Sequence, residues 1–352
     1  MIKQLKSIGL ILKVVEFCNL SCEFCGYAQH KSTLEQPMMS FDLFKKAVIK
    51  TCEHNIKCGD KSLSIVYHGG EPLLWGLDNF KKALTFEKYI EHKYPGFRFY
   101  NYIQTNGKLI SEEWTSFFIE ENINVGVSID GPEQLNGHCD GNQTDVIAHL
   151  KQLTQLGCET RVLSVITEDH EGQADSYYEY MRDNGIFNIG LCFCIAPENN
   201  SGIDNQILIP FLKRLYDRCK MDGFIMHIRE FEAIIQANKG KTTPYCTFNQ
   251  RKNCGRYFTI RSNGDVIFCD PIGFEEDALG NISSDDISDF LESSILTKIL
   301  YKSKISLSSV CEKCDINSLC GKGCTKYLDN NGKNYFCDTY KYMYTYINNN
   351  MP

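Results

Sequence analysis

Several features of membrane, secreted and nucleic-acid-binding proteins are missing from this sequence. No apolar run approaches the roughly 18 residues of a transmembrane helix, and the lysine-interrupted segment 1–12 does not resemble a secretion signal. Basic blocks are absent and the formal net charge is −7, which gives no attraction for nucleic acid or an anionic membrane. Internal repeats and low-complexity segments are also missing. We therefore expect a cytoplasmic protein with no nucleic-acid or membrane partner.

Cysteine is the residue that this chain has in excess. The 352 residues include 18 cysteines, too long a chain for a small disulfide scaffold. Three cysteines lie within eight residues near the start, and eight fall between Cys246 and Cys337. In a reducing compartment, clustered cysteines are more often metal ligands than disulfide partners. The hydrophobic share of 43% is enough for a sizeable core beside such sites.

Strand-like and helix-like segments alternate through the first two thirds of the chain. Strict alternation predicts parallel strands with helical crossovers, and six units are two short of a complete eightfold barrel. The sequence therefore predicts an α/β fold, a partial (β/α)6 TIM-like barrel. A helical stretch over 207–239 is expected to bridge to a Cys-rich C-terminal domain, and 339–348 is expected to form a closing helix. The predicted strands are 10–17, 62–67, 97–104, 125–129, 161–166 and 186–194, and the predicted helices are 41–53, 77–92, 111–122, 144–156 and 172–183.

The first cysteine group follows the first strand directly. The segment C-N-L-S-C-E-F-C places Cys18, Cys22 and Cys25 in one tight loop. Thiolates suit iron–sulfur clusters, and three ligands on a 4Fe–4S cluster leave one iron open. An open iron can chelate S-adenosylmethionine (SAM), whose reductive cleavage yields a 5′-deoxyadenosyl radical. The alternative is a structural zinc loop, for which His30 supplies the fourth ligand.

Polar and glycine-containing motifs follow the next three predicted strands. They are Y-H-G-G-E-P-L at 67–73, Q-T-N-G at 104–107 and S-I-D-G-P at 128–132. Paired glycines let a backbone approach a ligand closely, although Gly-Gly also occurs in ordinary turns. Ligands of parallel sheets bind at the carboxyl ends of the strands.

Together these motifs resemble the radical SAM superfamily. The resemblance implies that Gly69, Gly70, Glu71 and the adjoining Pro72 bind SAM through its amino group. It also implies that Gln104 and Asn106 line the pocket and that Ser128, with Asp130 in the same motif, contacts SAM. Related peptide-modifying enzymes carry an arginine after S-x-D-G-P that holds the SAM carboxylate, whereas segment 133–141 here has none. His138 or Arg161 is the expected substitute.

The C-terminal cysteines resemble the SPASM extension, which carries two auxiliary 4Fe–4S clusters. Cys254, Gly264 and Cys269 fit C-x9-G-x4-C, the next four cysteines fit C-x2-C-x5-C-x3-C, and Cys337 follows. Resemblance to the anaerobic sulfatase-maturating enzymes implies two fully ligated clusters, three clusters in all, although a pair of zinc ribbons is the alternative. The implied ligand sets are Cys246, Cys254, Cys269 and Cys324 for one cluster and Cys311, Cys314, Cys320 and Cys337 for the other.

Candidates for catalysis flank these motifs. Asp270 follows Cys269 directly and is a candidate base. His68 precedes the glycines and either contacts substrate or supports the loop. Some radical SAM epimerases use a cysteine as a hydrogen-atom donor, a role open here to Cys139, Cys192 or Cys194; the last two share one face of the sixth strand.

The leading functional hypothesis is a maturase of a ribosomally made peptide, forming a thioether or carbon–carbon crosslink or another oxidation. The first alternative is an anaerobic sulfatase-maturating enzyme that converts Cys or Ser to formylglycine. A peptide epimerase, a small-molecule enzyme and a non-enzymatic electron-transfer protein are further alternatives. Expected partners are a peptide or protein substrate, a flavodoxin or ferredoxin donor and, for leader recognition, a separate protein. The predicted domains are 1–205 (barrel), 206–245 (bridging helices) and 246–352 (SPASM domain).

Overall fold

A computed structural model describes most of the chain. The described residues are 7–22, 24–25, 37–135, 143–196, 201–241, 255–269, 278–304, 309–324, 327–328 and 332–351. Within these ranges no helix is long and apolar enough to cross a membrane. The chain forms two compact units: residues 1–128, 144–160 and 255–297 form the first, and residues 129–143, 161–254 and 298–352 form the second. The units interleave along the chain, and the predicted linear domain boundaries stay predictions.

The first unit is built on a mostly parallel sheet. Its elements are β1 (Gly9–Val15), α1 (Phe41–Lys57), β2 (Ser62–Gly69), α2 (Leu77–Lys93), β3 (Arg98–Thr105), α3 (Glu112–Glu120), β4 (Asn124–Ser128), α4 (Thr144–Gln155), β10 (Tyr257–Ile260), β11 (Asp265–Phe268), β12 (Gly280–Asn281) and α8 (Ile287–Glu292). The strand order is β12-β11-β10-β1-β2-β3-β4, with parallel pairing from β10 through β1 to β4 and antiparallel pairing at β10–β11–β12. In the described part of this unit, α1 to α4 connect or follow the parallel strands, and α8 follows β12.

The second unit contains the parallel strands β5, β6 and β9 in that order, together with the C-terminal helices. A short antiparallel pair, β7–β8, follows β6. The elements are β5 (Thr160–Ile166), α5 (Ala174–Asp183), β6 (Asn188–Phe193), β7 (Ile195–Ala196), β8 (Ser201–Gly202), α6 (Asn205–Met221), β9 (His227–Ile228), α7 (Arg229–Asn238), α10 (Ser309–Glu312), α11 (Asn317–Cys320) and α12 (Cys337–Asn350). Helix α9 (Ser294–Lys304) spans the boundary between the units.

These elements confirm the predicted fold class and each of the six predicted barrel strands. The helical stretch predicted over 207–239 consists of two helices, α6 and α7, with the short strand β9 between them. The break follows α6, where Gly223 and Phe224 both adopt left-handed φ angles of 68° and 58°. A left-handed residue cannot continue a right-handed helix. The predicted closing helix is confirmed as α12.

Packing of the first unit relies on aromatic side chains behind β2. Tyr67 is fully buried between Phe44, Trp75 and Phe80, with ring centroids 5.0–6.4 Å from its own. Its hydroxyl donates a 2.7 Å hydrogen bond to the buried carboxylate of Glu87. Asn101 donates to the other oxygen of that carboxylate at 2.6 Å. These two hydrogen bonds to Glu87 hold α2 against β2 and β3.

We expect Glu87 to make the free energy of unfolding depend on pH. Burial, opposed by these two hydrogen bonds, raises the pKa of Glu87 to about 7. A raised carboxyl pKa contributes stability that is complete below the unfolded pKa of about 4.3 and is lost as pH rises through 7. Between pH 5.5 and 8 the loss attributable to Glu87 is about 2 kcal/mol. Glu87→Gln should remove that part of the slope in guanidinium titrations.

The exposed Glu120→Gln is the matched control and should leave the slope unchanged. An unaltered slope in Glu87→Gln would contradict the assignment to this carboxyl group.

Candidate active site

The first three cysteines lie on a loop that leaves the carboxyl end of β1. Cys22 is buried, whereas Cys18 and Cys25 are half-buried. The N–H of Cys25 donates to the carbonyl of Cys22 at 3.0 Å, and the N–H of Leu20 lies 3.4 Å from the sulfur of Cys18. The loop thus folds back on itself and brings one backbone donor to the sulfur of Cys18. Three thiols in one loop, with amide support, form a donor set that suits an iron–sulfur cluster.

Gly69, the last residue of β2, and Gly70 pack against the chain segment that enters this loop. The N–H of Gly70 donates to the carbonyl of Val15 at 2.9 Å, and the N–H of Glu71 donates to that of Phe17 at 3.0 Å. A Cβ on Gly69 would overlap the carbonyl oxygen of Val15, and one on Gly70 would overlap that of Phe17. Only glycine permits this approach. Gly69 and Gly70 therefore fix the position of the loop that carries Cys18, Cys22 and Cys25, called the cluster loop below.

Glu71 uses its side chain inside the protein. It has no exposed surface, and its carboxylate accepts hydrogen bonds from the N–H of Leu73 (2.9 Å), the hydroxyl of Thr105 (2.8 Å) and the N–H of Asn106 (2.8 Å). Burial raises the pKa of Glu71 to about 7 against these three bonds, which lower it. The carboxylate thus joins the end of β2 to the end of β3. Because the Glu71 carboxylate is engaged in these bonds, the G-G-E-P motif can contact a ligand through its backbone groups and not through this side chain.

Polar side chains at the ends of β3 and β4 are brought together as the motifs predict. The amide of Gln104 donates to the hydroxyl of Ser128 at 3.0 Å. The amide of Asn106 donates to Asn19 at 2.9 Å and lies 3.6 Å from the sulfur of Cys18. Gly126 leaves room for Gln104, because a Cβ there would overlap its amide oxygen. The cluster loop, the glycine pair and the amides of Gln104 and Asn106 therefore all lie at the carboxyl end of the parallel sheet in the first unit.

In the second unit, two residues expected to bind SAM have other placements. Asp130 is fully buried, and its carboxylate accepts a 2.7 Å bond from the N–H of Val165, so it braces β5. Arg161 is exposed and is the second residue of β5, whose carboxyl end is Ile166. At about 3.3 Å per residue, Arg161 is some 16 Å from that end. Since ligands gather at the carboxyl ends of parallel strands, this placement argues against Arg161 as the carboxylate anchor.

Cys192 and Cys194 lie at the carboxyl end of β6, and both are half-buried. Cys192 pairs with Val165, and the N–H of Cys194 donates to the carbonyl of Ile166 at 3.0 Å. Burial raises the pKa of the Cys194 thiol, with smaller contributions from the carboxylates of Asp130 and Glu168. A thiol that keeps its proton can donate a hydrogen atom, and this role stays a prediction for both cysteines.

Four of the predicted auxiliary ligands belong to the second unit. Cys320 is buried, and burial raises its pKa to about 12 with added contributions from Cys337, Cys311 and Cys314. Cys311 and Cys314 begin a compact turn in which the N–H of Cys314 donates to the carbonyl of Cys311 at 3.3 Å. The assignment of Cys311, Cys314, Cys320 and Cys337 to one ligand set stays a prediction.

The loop from Cys320 to Cys324 has an unusual backbone. Gly321, Lys322 and Gly323 adopt left-handed φ angles of 56°, 75° and 65°. The buried side chain of Asn334 stabilises this turn, because its amide donates to the carbonyls of Lys322 (2.8 Å) and Cys324 (3.2 Å). Its oxygen accepts the N–H of Phe336 at 2.9 Å. Asn334 thus ties the loop to the segment that carries Cys337.

Phe336, the residue before Cys337, is fully buried among aromatic rings. Its ring centroid lies 5.3 Å from that of Phe193, which stands between Cys192 and Cys194 in β6. Tyr327 and Tyr335 lie at 5.3 and 5.1 Å. This aromatic cluster joins the end of β6 to the start of α12.

The remaining predicted site residues are Cys269 and several that lie outside the described part of the chain. Cys269 directly follows β11 in a left-handed conformation with φ 61°, and its N–H donates to the carbonyl of Tyr257 at 3.2 Å. Within the described ranges, no group of three His, Cys, Asp or Glu side chains is arranged to hold a single metal ion. Six residues considered from the sequence lie outside the described part of the chain: His30, His138, Cys139, Cys246, Cys254 and Asp270.

Sequence reasoning missed two residues of structural weight. Thr105 lies inside the Q-T-N-G motif, so its position carried a signal, yet its bond to Glu71 could not be read from spacing. Asn334 lies in a stretch of asparagine and lysine that gives no sign of its role. Both residues serve the loops that carry the candidate ligands.

Three cysteines in the loop after β1, the glycine pair and the C-terminal cysteine pattern are features of radical SAM enzymes with a SPASM domain, a class of enzyme with radical chemistry. Residues 252–315 match the family model of the SPASM domain, described as an iron–sulfur cluster-binding domain.

More particularly, the chain is similar to anaerobic sulfatase-maturating enzymes along its whole length. It is 26% identical to the cysteine-type enzyme of Clostridium perfringens (strain 13), over 94% of this chain and 93% of the relative. It is also 26% identical to the serine-type enzyme of Bacteroides thetaiotaomicron, over 96% and 88%. Among solved structures, anSMEcpe with bound AdoMet and Cp18Cys peptide has a TM-score of 0.83 at 25% identity, covering 98% of this chain and 99% of that one.

Proposed function

We propose that this chain oxidises a cysteine or serine side chain of a protein or peptide to formylglycine. The observation that carries the proposal is the full-length similarity to both the cysteine-type and the serine-type sulfatase-maturating enzymes. Agreement of the fold with anSMEcpe, whose structure holds AdoMet and a cysteine peptide, supports a peptide substrate. Formylglycine formation is therefore favoured over peptide crosslinking, which was the leading hypothesis from the sequence motifs alone.

The cofactors fit the residues at hand. Cys18, Cys22 and Cys25 would hold the cluster that binds SAM, and the backbone carbonyls of Gly69 and Gly70 would receive the SAM amino group, since the Glu71 carboxylate is engaged inside the protein. The bound cluster and SAM supply a 5′-deoxyadenosyl radical. Three clusters in total, with the two auxiliary ligand sets given above, remain part of the proposal, as does a flavodoxin or ferredoxin donor.

The oxidation removes two electrons from the substrate side chain. One hydrogen atom leaves the Cβ for the radical, one proton leaves the hydroxyl or thiol for a base, and one electron leaves for an acceptor. Serine then gives the aldehyde directly. Cysteine gives a thioaldehyde, which water converts to the aldehyde with release of hydrogen sulfide. Asp270 is the proposed base, and an auxiliary cluster is the proposed electron acceptor.

A second candidate is crosslinking of a ribosomally made peptide. Two departures from the usual pattern favour it: His68 stands before the glycines, and segment 133–141 lacks arginine.

We expect the reconstituted protein, under anaerobic conditions with SAM and reductant, to convert sulfatase-type peptides to an aldehyde product. Cysteine and serine versions of one peptide should be compared by mass spectrometry with a hydroxylamine probe that traps aldehydes. Trapped aldehyde with matching 5′-deoxyadenosine supports formylglycine formation. A product that has lost two hydrogens and resists the probe supports crosslinking instead. SAM cleavage with every peptide unchanged would contradict the proposal.

A further inference from the structure

Thr259 is a fully buried polar residue in a strand of large apolar side chains. Strand β10 reads Y-F-T-I, and Thr259 stands between Phe258 and Ile260, which are also buried. A hydroxyl group in such surroundings costs free energy unless it makes a hydrogen bond. The hydroxyl of Thr259 therefore needs a partner inside the protein, and the identity of that partner indicates its role.

The partner of this hydroxyl is the backbone of Cys269. The hydroxyl of Thr259 donates to the carbonyl oxygen of Cys269. The N–H of Cys269 donates to the carbonyl of Tyr257 at 3.2 Å. Because Tyr257 and Thr259 both belong to β10, one strand binds both polar groups of the Cys269 backbone.

The backbone conformation of Cys269 gives these two bonds their importance. Its φ of 61° lies in the left-handed region, where the Cβ of an L-residue comes too close to a carbonyl oxygen. Residues other than glycine keep such a conformation when the surrounding structure holds them in it, and they cluster at functional sites. The bonds to Tyr257 and Thr259 hold Cys269 in this way.

Thr259 is itself firmly placed, because β10 is an inner strand of the sheet. It pairs with Ile11 of β1 on one side and with Ile267 of β11 on the other. Both partners are buried. A polar group on a paired strand orients its partner more precisely than one on a loop. The position of the Cys269 carbonyl is therefore set by the sheet through the Thr259 hydroxyl.

We propose that Thr259 is a positioning residue for the auxiliary cluster to which Cys269 is assigned, because its hydroxyl fixes the backbone of that cysteine and thereby the placement of the sulfur ligand. The proposal rests on the proposed function, in which an auxiliary cluster accepts an electron. Residues that orient metal ligands tune the metal, and the potential of an iron–sulfur cluster depends on the groups around its sulfurs. Loss of the Thr259 hydroxyl should therefore change the auxiliary cluster and leave the first cluster unchanged.

The test compares two changes of this side chain. Thr259→Val keeps the shape and removes the hydroxyl, whereas Thr259→Ser keeps the hydroxyl and removes a methyl group. Each is combined with Cys18→Ala, Cys22→Ala and Cys25→Ala, so that electron paramagnetic resonance of the reduced, reconstituted protein reports the auxiliary clusters alone. Thr259→Val should shift the auxiliary signal, and Thr259→Ser should keep the signal of the triple-alanine parent.

The same two changes are then measured in protein that keeps its first cluster. In Thr259→Val we expect the aldehyde formed per 5′-deoxyadenosine to fall about tenfold, the lower end of the 10–100-fold effect of residues that support metal ligands. Formation of 5′-deoxyadenosine without peptide should stay within about twofold, because Thr259 does not contact the cluster loop. Thr259→Ser should restore the wild-type ratio of aldehyde to 5′-deoxyadenosine.

Thr51→Val is the matched control. Thr51 is a fully buried threonine of the same unit, and its hydroxyl also donates to a backbone carbonyl, that of Ala47 within α1 at 2.8 Å. This variant loses the same kind of hydrogen bond away from Cys269. It should change neither the auxiliary signal nor the ratio of aldehyde to 5′-deoxyadenosine.

An unchanged auxiliary signal in Thr259→Val, or an equal change in Thr51→Val, would overturn the proposal. If Thr259→Val does not fold, Thr259→Ser decides, because a shifted signal there would show that the methyl group and not the hydroxyl supports Cys269. The spectra need no peptide, so a wild-type enzyme that oxidises none would overturn the proposed function while the signal still decides the role of Thr259. A triple-alanine parent without any auxiliary signal would overturn the role of Thr259 together with the cluster assignment.

Discussion

Gly70→Ala is expected to abolish assembly of the first cluster and, with it, SAM cleavage. A Cβ at position 70 would overlap the carbonyl of Phe17 and lie 2.9 Å from the nitrogen of Cys18. These are backbone atoms, so the clash cannot be relieved by a change of rotamer. The peptide that enters the cluster loop must shift instead, and a displacement of about 1 Å at a reacting centre costs on the order of a hundredfold in rate.

The measurements are iron content and 5′-deoxyadenosine formation in the reconstituted protein. Gly59→Ala is the control, because Gly59 has a left-handed φ of 82° but nothing within 4 Å of its built Cβ. That variant bears backbone strain of about 1–2 kcal/mol and should cleave SAM normally. Wild-type SAM cleavage by Gly70→Ala would show that the glycine pair does not set the cluster loop.

Asn334→Ala is expected to separate SAM cleavage from product formation. Its loss leaves the carbonyls of Lys322 and Cys324 and the N–H of Phe336 without their side-chain partner, next to three consecutive left-handed residues. Unsatisfied buried groups cost about 1–3 kcal/mol each. Residues that support metal ligands typically contribute 10–100-fold to metal affinity or activity, so we expect auxiliary iron and peptide oxidation to fall by about that factor.

Electron paramagnetic resonance of the reduced protein measures the auxiliary clusters, and mass spectrometry measures peptide product against 5′-deoxyadenosine. Asn205→Ala is the matched control. The amide of Asn205 donates to the carbonyl of Tyr335, and its oxygen accepts from the N–H and hydroxyl of Thr339, so these bonds hold the same segment without reaching the loop of Cys320–Cys324. Full auxiliary iron in Asn334→Ala would contradict the role assigned to this side chain.

The sequence predicts the fold and the position of the site because both depend on local pattern. Alternating apolar segments predict the strands, and motifs after them fall at one edge of a parallel sheet. Cys18, Gly70 and Gln104 are therefore found where the spacing places them. Side-chain direction is not encoded in this way: the carboxylate of Glu71 turns inward and that of Asp130 braces β5. Spacing alone cannot distinguish an acid that faces a ligand from one that holds two loops together.

Other misses have different physical causes. Arg161 is the first residue of its own predicted strand, so the strand pattern already places it far from the carboxyl end, where a ligand is expected. The division of α6 from α7 depends on Gly223, a residue that the helical pattern passes over. Lys13 and Asn334 contact residues that are 55 and 10–12 positions away in the sequence. No short motif predicts contacts across such separations.

The ring of Phe336 has a mechanical consequence for the second unit. It touches Phe193, whose two sequence neighbours are thiols, and it is followed at once by Cys337. Close-packed interiors transmit displacement because they have little free volume. Phe336 therefore acts as a rigid spacer between Cys337 and the end of β6. A shift of the backbone at Cys337 displaces the end of β6, and a ligand that displaces the end of β6 in turn displaces the start of α12.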